Sequence, residues 1–250
     1  MHRPHRRLPA CRSEPNSGVY GESTSGYRSI RSFAKREGRL TPGQQKRLDT
    51  LWPIYGVDDA GSQANWATVF GRTAPITLEI GFGAGEVLAT RAQAEPERDF
   101  IGIEVYRTGI ARLMGALHDS GALNARVLYG DAFHLIDAAF DPGELDEVLL
   151  YFPDPWPKKR HHKRRLVTTR FADSVARVLK PGGVWRLATD WTDYAEWMRE
   201  VIDPHTAFDN IGDASGFDRT PPRPATRFEA RGEHHGHTVR DLIYRRKTGA

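Results

Sequence analysis

The sequence predicts a doubly wound, mainly parallel α/β sheet with an antiparallel last strand. Two observations carry that reading. From Ile76 to Ala188, apolar runs of strand length alternate with segments of helical period. Several of those runs end at a glycine or a carboxylate, and open parallel sheets gather their ligands at those ends.

The elements follow in chain order. Residues 1–27 are rich in Arg, Ser, Gly, Pro and His and nearly free of aliphatics, so they are expected to form a disordered basic tail. Residues 28–250 are expected to form a single domain. Thr41 and Pro42 fit a helix cap and first turn, with Leu48, Leu51 and Trp52 on the apolar face. Ile76–Ile80 reads as a strand, Gly81–Gly85 as a turn and Glu86–Ala94 as a helix. Phe100–Glu104 is a second strand, followed by a helix through Ile110, Leu113, Met114 and Leu117. Arg126–Tyr129 is a third strand, running out at Gly130-Asp131. Val148–Phe152 is a buried fourth, and Val184–Ala188 a fifth that ends at Asp190. After a helix over Tyr194–Val201, residues 203–224 read as one long irregular stretch. Thr238–Arg246 then supplies the antiparallel strand.

Composition narrows the function. The 250 residues carry 36 Lys plus Arg against 32 Asp plus Glu, a net charge of +4. That excess is small, so its clustering matters more than its total. Cys11 is the only cysteine, which excludes an internal disulfide or a thiolate zinc site. His234, His235 and His237 have no nearby partners to complete a metal shell, and no metal is expected. No stretch reaches the ~20 apolar residues of a membrane span, and the amino end lacks a secretion signal. A cytoplasmic protein is the expectation.

The glycine turn reads G-x-G-x-G, and Glu86 stands where a dinucleotide site has its third glycine. A glutamate there would repel a pyrophosphate. It would not repel S-adenosylmethionine in that way, since that cofactor has no phosphates and carries a positive ammonium and sulfonium. Glu104 follows Gly81 by 23 residues, near the ~20 expected of an acid on ribose hydroxyls. Asp131 ends the third strand, where it could accept from an adenine amino group. Glu79, Glu104, Asp131 and Asp154 thus place four acids along one edge.

The exit of the fourth strand is the other unusual stretch. Tyr151-Phe152-Pro153-Asp154-Pro155-Trp156-Pro157 holds one carboxylate between prolines, which forbid a regular ladder or helix. Residues 158–165 follow with six Lys or Arg and two His. The next helix buries Val167, Phe171, Val175 and Val178, so these cations are expected to crowd its amino end, against the dipole. A polyanion would relieve that crowding. The run reads as a nucleic-acid contact beside an active site, with Trp156, Trp191 and Phe228 as candidates to stack on an exposed base.

Together, Leu78–Gly85, Gly102–Val105, Phe152–Trp156, Arg160–Arg165, Ala188–Trp191 and Thr226–Glu229 resemble the bacterial tRNA (guanine-N7)-methyltransferase family. The match spans about Ile30 to Arg246, with Pro157 and the pair Arg227-Phe228 as small departures. The resemblance implies the class I methyltransferase fold with its seven-stranded sheet. It implies transfer of a methyl group from S-adenosylmethionine to N7 of a guanosine in the tRNA variable loop. Cofactor binding falls to Gly81, Gly83 and Gly85 of the glycine turn, with Glu79, Glu104, Asp131 and Asp154. Asp154 is also the implied catalytic residue. Substrate contacts fall to Lys158, Asp190, Thr226, Arg227, Phe228 and Glu229. RNA contacts fall to Arg160, His161, His162, Lys163, Arg164 and Arg165. No obligatory protein partner is implied. Two rival readings are an amino-methyltransferase, whose turn carries two prolines after the acid, and an inactive RNA-binding subunit, which need not keep the cofactor acids.

Overall fold

The computed structural model describes residues 32–33, 39–58, 64–218 and 238–249. Within them the chain runs α1 (Pro42–Tyr55), α2 (Trp66–Phe70), β1 (Ile76–Ile80), α3 (Glu86–Ala94), β2 (Asp99–Glu104), α4 (Arg107–Ser120) and β3 (Ala125–Tyr129). It continues with α5 (Ala132–Ala138), β4 (Leu145–Tyr151), a 3₁₀ helix (Lys159–Arg164), α6 (Thr169–Val178), β5 (Leu179–Thr189), α7 (Thr192–Ile202), β6 (Phe208–Asn210) and β7 (Arg240–Arg246). The seven strands form one sheet in the order β3-β2-β1-β4-β5-β7-β6. β1 to β5 are parallel, and β7 runs antiparallel between β5 and β6.

That order reverses direction between β1 and β4, which pair as Thr77 to Glu147 through Ile80 to Leu150. The carboxyl ends of these two strands therefore flank the crevice where doubly wound sheets bind ligands. On one face, α2, α5, α6 and α7 cover Leu78, Ile80, Ile101, Ile103, Val148, Leu150, Trp185 and Leu187. On the other, α1, α3 and α4 cover Phe100, Ala125 and Val127. The helices form where their apolar spacing can meet those faces: α6 buries Phe171, Val175 and Val178, and Val167 is buried just before it.

Local chemistry sets the element ends. Thr41 caps α1 by accepting from the Gln44 amide, while Gln44 accepts from the Thr41 amide at 3.0 Å. Three features differ from the sequence reading. β5 begins at Leu179, because Leu179 already pairs with Leu145 of β4, and Lys180–Gly183 form an irregularity before regular pairing resumes with Val184 opposite Glu147. Residues 203–218 are not one irregular stretch: they contain β6, and Asp218 donates its amide to the Asp241 carbonyl at 2.7 Å. The cations at 159–164 form their own 3₁₀ helix, and α6 starts later with Thr168 accepting from the Phe171 amide at 3.2 Å. The expected crowding of α6's dipole is therefore absent. The expected tail and residues Thr226–Glu229 lie outside the described residues.

Candidate active site

The glycine turn leaves β1 and is pinned to β2, with the Gly81 amide donating to the Ile103 carbonyl at 2.8 Å. Gly81, Gly83 and Gly85 all have positive φ, at 68°, 57° and 77°. At Gly85 a side chain would also meet Leu113 of α4, 2.6 Å from an added Cβ. α4 comes closer still through Gly109, where a Cβ would lie 2.1 Å from the Gly83 carbonyl oxygen. Only glycine lets helix and turn touch there. At Gly81 an added Cβ would face open space, so the outer side of the turn is available to a ligand.

Two buried carboxylates stand behind this turn, and they are held differently. Glu104, at the end of β2, accepts from the amides of Gly83 at 2.8 Å, Val105 at 2.6 Å and Tyr106 at 3.0 Å. Burial still raises its pKa, against those three amides, and the charge of Asp154 adds to the rise. Glu79, inside β1, is 4% exposed and has one oxygen, Oε2, with no hydrogen-bond partner. Burial pushes its pKa up to about 8, opposed by Arg91 and the Leu88 amide and reinforced by Glu104. An unpartnered carboxylate oxygen at 4% exposure is a costly group unless a ligand completes it.

Asp131 caps α5 by accepting from the Phe133 amide at 3.0 Å. Next to Glu79 the sheet face carries a polar ladder that apolar periodicity does not announce. Arg91 of α3 and Arg186 of β5 both donate to Glu147 of β4, at 2.7 and 3.0 Å. Arg186 also donates to Asp218 at 3.1 Å.

Asp154 is exposed and stands in a turn of unusual backbone. Phe152 has φ 51° and Trp156 φ 46°, left-handed conformations that non-glycine residues adopt at a cost of about 1–2 kcal/mol each. The Phe152 amide donates to Ala188 of β5 at 2.8 Å, which ties the start of the turn to the sheet. Trp156 is held by its Nε1–H on the Ser32 carbonyl at 2.9 Å, by Arg164 over its ring at 5.0 Å and by the edge of His161 at 5.9 Å. Its ring is thus already engaged, where the sequence suggested an open stacking surface. Trp191 precedes α7, partly buried against the core.

Lys158, Lys159, Arg160, Lys163 and Arg164 are all exposed along the 3₁₀ helix. Arg165 is not: it is 2% exposed and its side chain points into the protein. That corrects its expected place among the RNA contacts, because a guanidinium buried there offers no face to a phosphate. His162 is also turned inward, its ring packed edge-on against Trp197, with Nε2 making no hydrogen bond but lying 3.9 Å from the Asp193 carboxylate. Asp190 directly follows β5, at the same edge as Asp154. Sequence reasoning missed Asp193, Tyr194 and Trp197, which receive Arg165. The available signal was position, since Arg165 is the one cation of the run that abuts the buried pair Leu166-Val167. Among the described residues no cluster of His, Cys, Asp and Glu could hold a metal, and no helix is long and apolar enough to cross a membrane.

Comparison with known proteins bears on this edge. A family model described as a putative methyltransferase matches residues 73–242. A tRNA (guanine-N(7)-)-methyltransferase from Nitrosococcus oceani is 50% identical over 219 residues, 88% of this chain and 92% of that one. The protein of the same description from Alcanivorax borkumensis is 47% identical, covering 88% of this chain and 92% of its own. Among solved structures, the 16S rRNA methyltransferase KamB aligns with a TM-score of 0.50 at 13% identity, over 74% of this chain and 95% of that one. That likeness concerns the fold alone. At such identity over nearly nine-tenths of its length, the chain belongs to the tRNA (guanine-N7)-methyltransferase family.

Proposed function

We propose that the protein transfers a methyl group from S-adenosylmethionine to N7 of a guanosine in the variable loop of tRNA, with Asp154 as the catalytic carboxylate. One observation carries the reading: Asp154 stands between a rim of buried carboxylates and a row of exposed cations. Its nearness to the rim is electrical as well as topological, since its charge acts on Glu104.

The residues of the rim fit the cofactor. Glu79 offers an unpartnered carboxylate oxygen, suited to an ammonium group, and the glycine turn is open outside Gly81. Glu104 and Asp131 offer acceptors for hydroxyl and amino hydrogens. When bound, S-adenosylmethionine supplies an electrophilic methyl on a sulfonium.

Guanine N7 attacks with an in-plane lone pair and has no proton to lose, so no strong base is needed. The chain's task is alignment and charge. The base becomes cationic as the bond forms, and Asp154 and Asp190 favour that state over the neutral base. Lys158 and the segment Thr226, Arg227, Phe228 and Glu229 orient the nucleotide on this reading, and Arg160, Lys163 and Arg164 hold the RNA backbone. The protein acts in the cytoplasm without an obligatory protein partner. Nucleoside mass spectrometry of tRNA treated with protein and S-adenosylmethionine tests the proposal. The expected product is 7-methylguanosine in the variable loop; methyl groups found only on exocyclic amines or ribose would sink it.

A further inference from the structure

We infer that Arg165 is a positioning residue for Asp154, an inference that rests on the catalytic reading of Asp154 above. Its guanidinium sits at the meeting point of two segments. Nε–H donates to the carbonyl of Pro155 at 3.0 Å, one residue beyond Asp154. Nη2 donates to the carboxylate of Asp193, in the first turn of α7. The guanidinium carbon Cζ lies 5.0 Å from the centroid of the Tyr194 ring and 5.2 Å from that of the Trp197 ring. The side chain is 1% exposed.

These contacts are locked by others. Tyr194 Oη accepts from the Val167 amide at 3.3 Å, and Trp197 donates to the Val167 carbonyl at 2.8 Å. The chain just after Arg165 is therefore bound to α7. α7 follows Asp190, so the guanidinium ties the turn that carries Asp154 to the strand end that carries Asp190.

The backbone explains why such a tie is needed. Two left-handed non-glycine residues, Phe152 and Trp156, bracket Asp154. Conformations of that kind persist only where the surroundings over-determine them. Prolines stiffen the turn but cannot donate hydrogen bonds, so its carbonyls depend on donors from elsewhere. Arg165 supplies the donor at Pro155. A planar fork can reach Pro155 and Asp193 at once while lying between two rings; an ammonium on a flexible stem cannot do all three. Burial of the charge is compensated by Asp193, whose pKa the Arg165 hydrogen bond holds below the usual carboxylate range.

The test is the single-turnover methylation rate at saturating tRNA and S-adenosylmethionine, with tRNA affinity and its salt slope measured in parallel. Arg165→Lys should slow the saturated rate roughly 10–100-fold, the scale of sub-ångström to ångström misplacement. Affinity and salt slope for tRNA should not move. In an Asp154→Asn background, Arg165→Lys should have no further effect on rate, because both changes act on one group. Asp193→Asn removes the same guanidinium's partner from a carboxylate that is 59% exposed, and should give the same pattern more mildly. It decides the matter if Arg165→Lys fails to fold. An unchanged saturated rate in folded Arg165→Lys, with a salt slope lowered by nearly one unit in Arg165→Ala, where the charge is removed, would make Arg165 a phosphate contact and overturn the inference. So would multiplicative effects of Arg165→Lys and Asp154→Asn. If Asp154→Asn alone retains the rate, the catalytic reading fails and this inference falls with it. If Asp154→Asn is slow while folded Arg165→Lys is fast, only this inference falls.

Discussion

The acid rim and the cationic segment share one sheet edge and are built by opposite means. In the rim, backbone fixes position: Glu104 accepts from three amides, Asp131 from one, and the glycine turn is stitched to β2. In the segment after β4, side chains hold side chains: Arg164 lies on Trp156, His161 meets its edge, and Arg165 reaches Asp193 and two rings. The 3₁₀ helix has no side-chain cap of its own. A site fixed by backbone tolerates a change of distant side chains, whereas one fixed by side chains transmits each change to its neighbours. Asp154 lies where the two constructions meet.

The largest effect is therefore expected there. Asp154→Asn should lower kcat about 10²–10³-fold, the scale seen when one electrostatic stabiliser of a transition state is removed. Asp154 is exposed, so unfolding temperature should hardly change. Near-normal single-turnover rates would end the claim that catalysis is centred at the junction.

A second prediction isolates the rim. Glu79 has a folded-state pKa pushed up to about 8 from an ordinary 4.5. A carboxyl with a raised folded pKa keeps its proton on folding, so its contribution is most favourable below pH 4.5. It is lost progressively as pH rises through the window to about 8. A rise this large is an upper bound on the energy involved, and reorganisation around the buried charge leaves on the order of 2 kcal/mol. Thermal unfolding across that window should show Glu79→Gln gaining stability over the unmodified chain as pH rises. A constant difference across it would mean that Glu79 titrates as an ordinary carboxylate.

The third prediction isolates the cations. Replacing Arg160, Lys163 and Arg164 together with Ala should raise the tRNA dissociation constant about tenfold. The slope of log affinity against log salt should fall by about 2–3 units, at roughly 0.7–0.9 per phosphate contact. Affinity for S-adenosylmethionine should be unchanged, because the rim's backbone frame does not involve these residues. Calorimetry showing the cofactor lost and tRNA retained would reverse the division between the two regions.

The same contrast explains what could be read in the sequence. The alternation of β1 to β5 with their helices was legible because apolar period reports burial directly, and Glu86–Ala94 was placed to the residue. The positions of Glu104 and Asp131 were legible because strand ends and glycine turns fix side chains through the backbone. Glu147 was not, since a charged residue inside a strand becomes intelligible only once Arg91 and Arg186 are seen on either side. β6 was hidden because three residues carry too little pattern to show. Most of all, sequence composition treats the run from Lys158 to Arg165 as one patch, while the fold turns Arg165 inward. Charge is visible in a sequence; the direction of a long side chain is not.

The smallest predicted effect sharpens that last point. Arg164 and Arg165 are adjacent and chemically identical, and they differ only in surroundings. Arg164 is exposed, with its guanidinium 5.0 Å from the Trp156 ring centroid. An exposed cation over a ring is worth about 0.5–1 kcal/mol. Lysine at this position keeps the positive charge and can keep part of that contact. Arg164→Lys should therefore lower the unfolding temperature by no more than about 2–3 °C, given the ~2–4 °C per kcal/mol typical of chains this size. Its salt slope for tRNA should match the unmodified protein, because the count of phosphate-facing charges is the same. The saturated methylation rate should match as well, since Arg164 donates nothing to the backbone of the Asp154 turn. The comparison is direct, because Arg165→Lys is the same chemical change one residue along. If Arg164→Lys slows the saturated rate as much as Arg165→Lys, the Trp156 stack shares control of the turn. The boundary between RNA-facing and catalytic residues would then lie before Arg164.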